Sequence, residues 1–370
     1  MKKLVSKLKR GFPYLTKEIK SYISEKTPLF ISVPNKIYLW WGGPCNAQCI
    51  FCPFKEIYEG KRKDNIRMTP DEKVPKIIHE AKELSGKGLL ISFSGGEPLL
   101  WKPLFEIAEL CNNLGIDFSF TTNGYLFNEK TIHKLIQLNL FNIGISLEAI
   151  DPQINEFLRP MKNGTKKTID AIEGILSEKK RQNSDIRINI KCTLTQTNFR
   201  SIVDIVKRWG KTRGVLITPQ PFESFEEVPD DICKKLTIQD IEGFKATINH
   251  LMVLKKQGYA INADEEQMLD FIVKYEHNNR LANSPDNNSR SVGCTIGNTT
   301  MFILRSGDVK LCPTMDAIGN INNDRTLKEI WFSERARKMR RKIKMCKTVC
   351  TISCTRKSSL FNSIVFFLRQ

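Results

Sequence analysis

Residues 37–53 read IYLWWGGPCNAQCIFCP. Residues 37–41 are apolar or aromatic and read as a strand. The loop that follows carries Cys45, Cys49 and Cys52 at C-x3-C-x2-C, with Phe51 just before the last cysteine. Three thiolates can hold a four-iron cluster by three corners and leave the fourth iron open, whereas clusters with a full protein shell take four cysteines and mostly move electrons. An open corner permits chemistry at the metal, as an open zinc position does. Two other readings stand beside this one. A zinc site needs a fourth Cys or His, which would have to come from a distant part of the chain. A disulfide needs an oxidising compartment and leaves one of the three cysteines over.

Outward from this loop, strands alternate with helices. Thr69-Pro70-Asp71-Glu72 reads as a helix start, with Thr69 as N-cap, proline in the first position and Glu72 closing a capping box; the helix is expected to end near Leu84. An apolar strand over 89–93 ends in Ser94-Gly95-Gly96-Glu97-Pro98. Two glycines there let the backbone approach a ligand, and Glu97 offers a carboxylate to an ammonium or hydroxyl group. Further strands are expected over 116–121, 141–147, 186–194 and 215–218, with helices over 103–114, 128–138, 166–180 and 200–211. Such alternation predicts parallel pairing and an α/β fold.

The segments CNAQCIFC and SGGEP together resemble the radical SAM superfamily. The resemblance implies a 4Fe–4S cluster on Cys45, Cys49 and Cys52. S-adenosylmethionine (SAM) would chelate the fourth iron, with Gly95, Gly96 and Glu97 at its amino group. It implies reductive cleavage of SAM to a 5′-deoxyadenosyl radical that abstracts a substrate hydrogen, and an electron donor such as flavodoxin or ferredoxin. Asn123 (in Thr122-Asn123-Gly124) and Ser146 are implied to border SAM, and Arg159 to meet its carboxylate. Glu148 departs from the pattern, since Asp is frequent at that place. Each of these three has another reading: Asn-Gly as an ordinary turn, Ser146 bonding its own backbone, Arg159 in a surface ion pair. The six βα units fit the partial (β/α)6 TIM-like barrel of the family, in which active residues lie at the C-terminal ends of strands.

A second cysteine group lies near the C-terminus. Cys294 and Cys312 bracket MFILRSGDVKL, a hairpin turning at Ser306-Gly307-Asp308. A helix is expected over 327–340, and Cys346, Cys350 and Cys354 follow at C-x3-C-x3-C. This stretch resembles the SPASM/Twitch extension of radical SAM enzymes, which implies an auxiliary 4Fe–4S cluster. Five cysteines compete for four positions: Cys294 and Cys312, then Cys350 and Cys354, with Cys346 as the fifth candidate. A structural zinc knuckle is the other reading. Cys111, Cys192 and Cys233 read as buried thiols, and the four histidines adjoin no motif.

The expected organisation is a basic N-terminal segment (1–33), the core barrel (34–222), a helical connector (223–291) and a small α+β iron–sulfur extension with a tail (292–370). Pro219, Pro221 and Pro229 are expected to break regular structure, 228–231 to be loop, and 238–257 and 265–275 to be helices. The chain has 370 residues, is 41% hydrophobic and carries a net charge of +18, much of it in residues 1–20 and 335–344. That surplus can attract nucleic acid, anionic lipid or an acidic substrate, or simply solvate a basic surface. No apolar run reaches the length of a membrane span, and the cysteine load points to the cytoplasm. The expected substrate is a peptide or protein side chain or a small metabolite. An RNA- or lipid-modifying enzyme remains an alternative, as does a non-catalytic metal-binding scaffold, although a scaffold has no need of SGGEP.

Overall fold

The computed structural model describes residues 12–13, 16–17, 19–20, 31–41, 43–53, 68–138, 140–224, 228–280 and 294–346. Six strands follow one another in parallel: β1 (Lys36–Trp40), β2 (Leu90–Ser94), β3 (Asp117–Thr122), β4 (Asn142–Ser146), β5 (Arg187–Leu194) and β6 (Val215–Pro221). Between them run α1 (Val74–Ser85), α2 (Leu104–Asn113), α3 (Glu129–Gln137), α4 (Pro152–Leu158), α5 (Gly164–Arg181) and α6 (Ile202–Trp209). The sheet order is β6-β5-β4-β3-β2-β1 and then continues into the C-terminal extension as β7 (Thr300–Leu304), β8 (Asp308–Lys310) and β9 (Gly319–Asn320). This is the α/β architecture of a partial TIM-like barrel, as the sequence predicts.

Strands of parallel sheets are commonly apolar on both faces, but these alternate. Ile37, Leu39, Ile91, Phe93, Ile143, Ile145, Ile188 and Ile190 are buried among the helices. The opposite, inner face is polar or aromatic. The register aligns Trp40 with Ser94 and Leu304 in one layer, which continues through Thr121, Gly144 and Asn189, and aligns Ser146 with Lys191 and Thr218 in the next. On the β1/β7 side of this face Tyr38 stacks on Phe302 at 5.1 Å, and Trp40 packs on the same ring. An α/β sheet with one wettable face is a sheet built around a cavity rather than a packed core.

The structure corrects several local expectations. Thr69 caps no helix. Its N–H bonds Arg305 O (2.7 Å) and its hydroxyl meets Asn322 Nδ2 (3.1 Å), so the extension competes for the capping group. A 3-10 turn (Asp71–Lys73) therefore precedes α1, with no side-chain cap. Pro219 lies inside β6 and Pro221 is its last residue, so Pro219 does not break the strand. Ile217 N–H points away from β5 to Ala260 O, and Phe222 N–H points toward β5 at Leu194 O. The two prolines share the parity of Ile217, so the donors they lack would face the open edge and no ladder bond is lost. Residues 230–231, expected as loop, open a helix α7 (Asp230–Leu236). It is followed by α8 (Ile241–Lys256) and α9 (Glu265–Arg280). Phe244 of α8 joins Phe199 of the core to Tyr275 of α9 through two edge-on ring contacts.

In the extension a short helix α10 (Ile296–Thr299) leads into β7, and the hairpin turns at Gly307 with φ 87°. The helix expected over 327–340 is two: α11 (Leu327–Trp331) and α12 (Glu334–Lys344). Ser333 ends the first run and caps the second through Ala336 N–H. α12 buries Ala336, Met339 and Ile343 and exposes Arg335, Arg337, Lys338, Arg341, Lys342 and Lys344. Among the described residues no helix is long and apolar enough to cross a membrane.

Candidate functional site

Each strand that carries a motif delivers it to the same end of the sheet. β1 runs into the cysteine loop and β2 into the Gly-Gly-Glu turn, and the two are bound together: Glu97 N–H donates to Pro44 O at 3.0 Å, next to Cys45. Gly95 and Gly96 both have positive φ (101° and 60°). A Cβ on Gly96 would lie 2.6 Å from Gly43 O and 2.8 Å from Pro44 O. Only glycine permits this approach.

The Glu97 carboxylate is buried and turned toward β3. Its Oε1 accepts from Leu99 N–H (3.1 Å) and the Thr122 hydroxyl (2.6 Å), and Oε2 accepts from Asn123 N–H (2.8 Å). Burial pushes its pKa up, and these three donors pull it back. An ionised carboxylate has about four acceptor positions, so roughly one is left for an ammonium.

Asn123 ties the turn to the cysteine loop. Its Oδ1 accepts from Tyr125 N–H (2.9 Å), which aims Nδ2 at Asn46 Oδ1 (2.8 Å). Asn46 Nδ2 therefore faces the other way. It is buried beside Cys45 with no hydrogen-bond partner among the described residues. Sequence reasoning missed Asn46, whose only signal is its place between Cys45 and Cys49. Ser146 ends β4 in register with Lys191 on β5. Lys191 was missed too. It reaches across β4 to Thr121 Oγ1 (2.8 Å), and Gly144 permits this because a Cβ there would lie 2.8 Å from the same hydroxyl.

Arg159 is neither on the surface nor free. Its Nε (2.7 Å) and Nη2 (2.6 Å) both bond Glu148 Oε1, and Nη1 donates to Cys49 Sγ at 3.1 Å. Glu148 is fully buried, and its Oε2 accepts from Thr193 N–H at 2.5 Å. Burial alone would lower the Arg159 pKa, but the Cys49 and Glu148 charges raise it, so it is a cation throughout.

Burial pushes the Cys45 thiol up to about 11, with the Ala47 N–H opposing and the charges on Cys49, Glu97 and Cys52 adding to it. Burial also raises Cys49, against the pull of Arg159. The three cysteines thus feel one another across a single loop. Among the described residues no three Cys, His, Asp or Glu side chains stand close enough to share one ion. A sulfur loop with an orphan N–H beside it and an N–H···S bond already made fits an iron–sulfur cluster.

In the extension Cys294 precedes α10, Cys312 follows β8 with its sulfur 3.4 Å from Thr314 Oγ1, and Cys346 follows α12. Cys350 and Cys354 lie outside the described residues. Cys111 and Cys192 are buried as expected, and Cys233 is half-buried.

Residues 42–191 match the model of the radical SAM superfamily, and residues 294–355 that of SPASM, an iron-sulfur cluster-binding domain. The chain belongs to the radical SAM superfamily and carries a SPASM-type extension. Its cofactors are accordingly SAM, a 4Fe–4S cluster and auxiliary iron–sulfur centres. It is 28% identical over 298 residues to the uncharacterized protein MJ0907 of Methanocaldococcus jannaschii, covering 77% of this chain and 87% of that one. A probable GTP 3′,8-cyclase of the same organism is 35% identical over 149 residues, and the match spans 45% of that protein. Among solved structures, Streptococcus suis SuiB bound to SAM superposes with TM-score 0.62 at 16% identity, covering 87% of this chain and 71% of that one. anSMEcpe with bound AdoMet and the Cp18Cys peptide gives 0.56 at 18% identity, covering 82% and 81%. At these identities the two structures share the fold.

Proposed function

We propose that this radical SAM enzyme modifies a peptide or protein side chain, as a maturase whose auxiliary cluster sits on the extension. The observation that carries the SAM reading is the Glu97 N–H to Pro44 O bond, which seats the Gly-Gly-Glu turn on the cysteine loop. In this reading Cys45, Cys49 and Cys52 hold the cluster by three corners. Gly95 and Gly96 present bare backbone to SAM, Glu97 takes its ammonium on the remaining acceptor position, and Asn123 and Ser146 line it. When bound, cluster and SAM supply an electron and a 5′-deoxyadenosyl radical that removes a substrate hydrogen. The electron comes from a flavodoxin or ferredoxin. Cys294, Cys312, Cys346, Cys350 and Cys354 are the ligand pool of the auxiliary cluster.

The inner face suits a side chain with an apolar stem and a polar end. Tyr38, Trp40 and Phe302 form one wall; Asn189, Thr218 and Asn262, hydrogen-bonded in a row, form another. SuiB bound to its precursor peptide SuiA, and anSMEcpe with a peptide, support a peptide substrate. A small metabolite is the second reading, favoured by the likeness to probable GTP 3′,8-cyclases and by Lys191 on the inner face.

The test is anaerobic reconstitution followed by SAM and dithionite, with 5′-deoxyadenosine measured by chromatography. The protein should produce it. Cys49→Ala should produce none while the auxiliary cluster's absorbance persists. Absence of 5′-deoxyadenosine from fully loaded protein would end the proposal.

A further inference from the structure

The contacts around Arg159 form a clamp on the cysteine loop. Three successive loop residues meet two successive residues at the end of α4. Cys49 Sγ accepts from Arg159 Nη1, Ile50 N–H bonds Leu158 O at 3.1 Å, and the Phe51 ring lies 5.1 Å from the Arg159 guanidinium carbon. Beneath them a small apolar cluster gathers Leu158, Phe222 and Leu236 against Ile50 and Phe51. All three guanidinium nitrogens are engaged, Nε and Nη2 by one oxygen of Glu148 and Nη1 by the sulfur. The other oxygen of Glu148 is pinned to Thr193 N–H on β5, so the barrel wall fixes the plane in which Arg159 lies.

We infer that Arg159 is a positioning residue for the iron–sulfur cluster rather than the seat of the SAM carboxylate. Oriented by Glu148, it donates a charge-assisted hydrogen bond to the Cys49 thiolate and so raises the cluster's reduction potential. This rests on the assignment of the cluster to Cys45, Cys49 and Cys52. Reduction adds negative charge to the cluster, and a fixed cation in contact with a ligand sulfur stabilises the reduced form more than the oxidised one. The effect is strong at this site because Cys49 and Glu148 are both buried, where charges are poorly screened. Glu148 opposes it only partly, since its carboxylate lies behind the guanidinium from the sulfur. Its role is geometric: one oxygen bonds both Nε and Nη2 and leaves Nη1 aimed at Cys49.

The test is an EPR-monitored redox titration of the reconstituted holoprotein without SAM. The SAM-binding cluster is identified by the signal that later responds to added SAM, and the auxiliary signal in the same sample serves as the reference for folding. Arg159→Met should move the potential of the SAM-responsive signal to more negative values and leave the auxiliary one in place. Arg159→Lys keeps the charge but cannot bond Glu148 and Cys49 together, so its potential should fall between the two. An unmoved potential in Arg159→Met overturns the inference, and a weakened SAM affinity alongside it would return Arg159 to the carboxylate. If wild-type protein shows no SAM-responsive signal, the cluster assignment itself fails, a separate outcome from either of these.

Discussion

Cys45, Cys49 and Cys52 share one short loop, and the barrel grips that loop from several sides: Glu97 on Pro44, Asn123 on Asn46, Leu158 on Ile50 and Arg159 on Cys49. Cys294, Cys312 and Cys346 instead stand at the ends of three separate elements. The first site is prepared by local sequence and by neighbours that hydrogen-bond to it. The second, as proposed, would draw its ligands from these separate elements and from residues further along the chain. A motif of the first kind is readable as a string, whereas one of the second kind depends on the fold and on the metal that gathers it.

Gly96→Ala should break this comparison most severely. The positive φ costs about 1–2 kcal/mol for a non-glycine residue, and the new Cβ would meet the backbone of Gly43 and Pro44. The turn and the cysteine loop must then separate. The expected result is loss of iron from the first site with the auxiliary cluster retained, read by iron content and EPR. Equal loss from both sites would mean the two are not independently built. A smaller effect is expected at the joint between core and extension. Thr69→Val removes the hydroxyl contact to Asn322 and should cost about 1 kcal/mol. That lowers Tm without changing how much iron either site takes up.

A third effect, confined to alkaline pH, concerns a thiol outside both groups. Burial pushes Cys111 from the ordinary 9.0 up to about 12. The folded protein therefore holds this proton more tightly than the unfolded chain does. The resulting stability is complete below pH 9 and is lost as pH rises toward 12. Denaturation at pH 8 and pH 11 should show a larger alkaline loss in the wild type than in Cys111→Ala.

What the sequence revealed follows the same division. C-x3-C-x2-C, the glycine pair and the alternation of strands and helices are local patterns, and the structure carries them where they were read. The helix α4 was missed although Asp151 and Pro152 mark its start, Asp151 accepting from Gln153 N–H. The Thr69 cap failed because Asn322, far away in the chain, takes its hydroxyl. The Arg159–Glu148–Cys49 contacts join the end of α4, the segment just after β4 and the loop after β1, and no spacing rule announces them. The pairing of β7 with β1 sets Lys36 beside Thr300 and runs the extension's first strand into the barrel sheet. A contact at that separation is decided by packing, not by periodicity.

The prolines of β6 have a consequence for life at high concentration. An open barrel ends in an edge strand, here β6, and an unpaired edge invites another chain to zip onto it. Ile217 is already bonded to residues 260 and 262, and past it Pro219 and Pro221 offer an incoming backbone no donors on that side. An enzyme proposed to handle extended polypeptides is thereby spared from being templated by them, or by copies of itself, along its own rim.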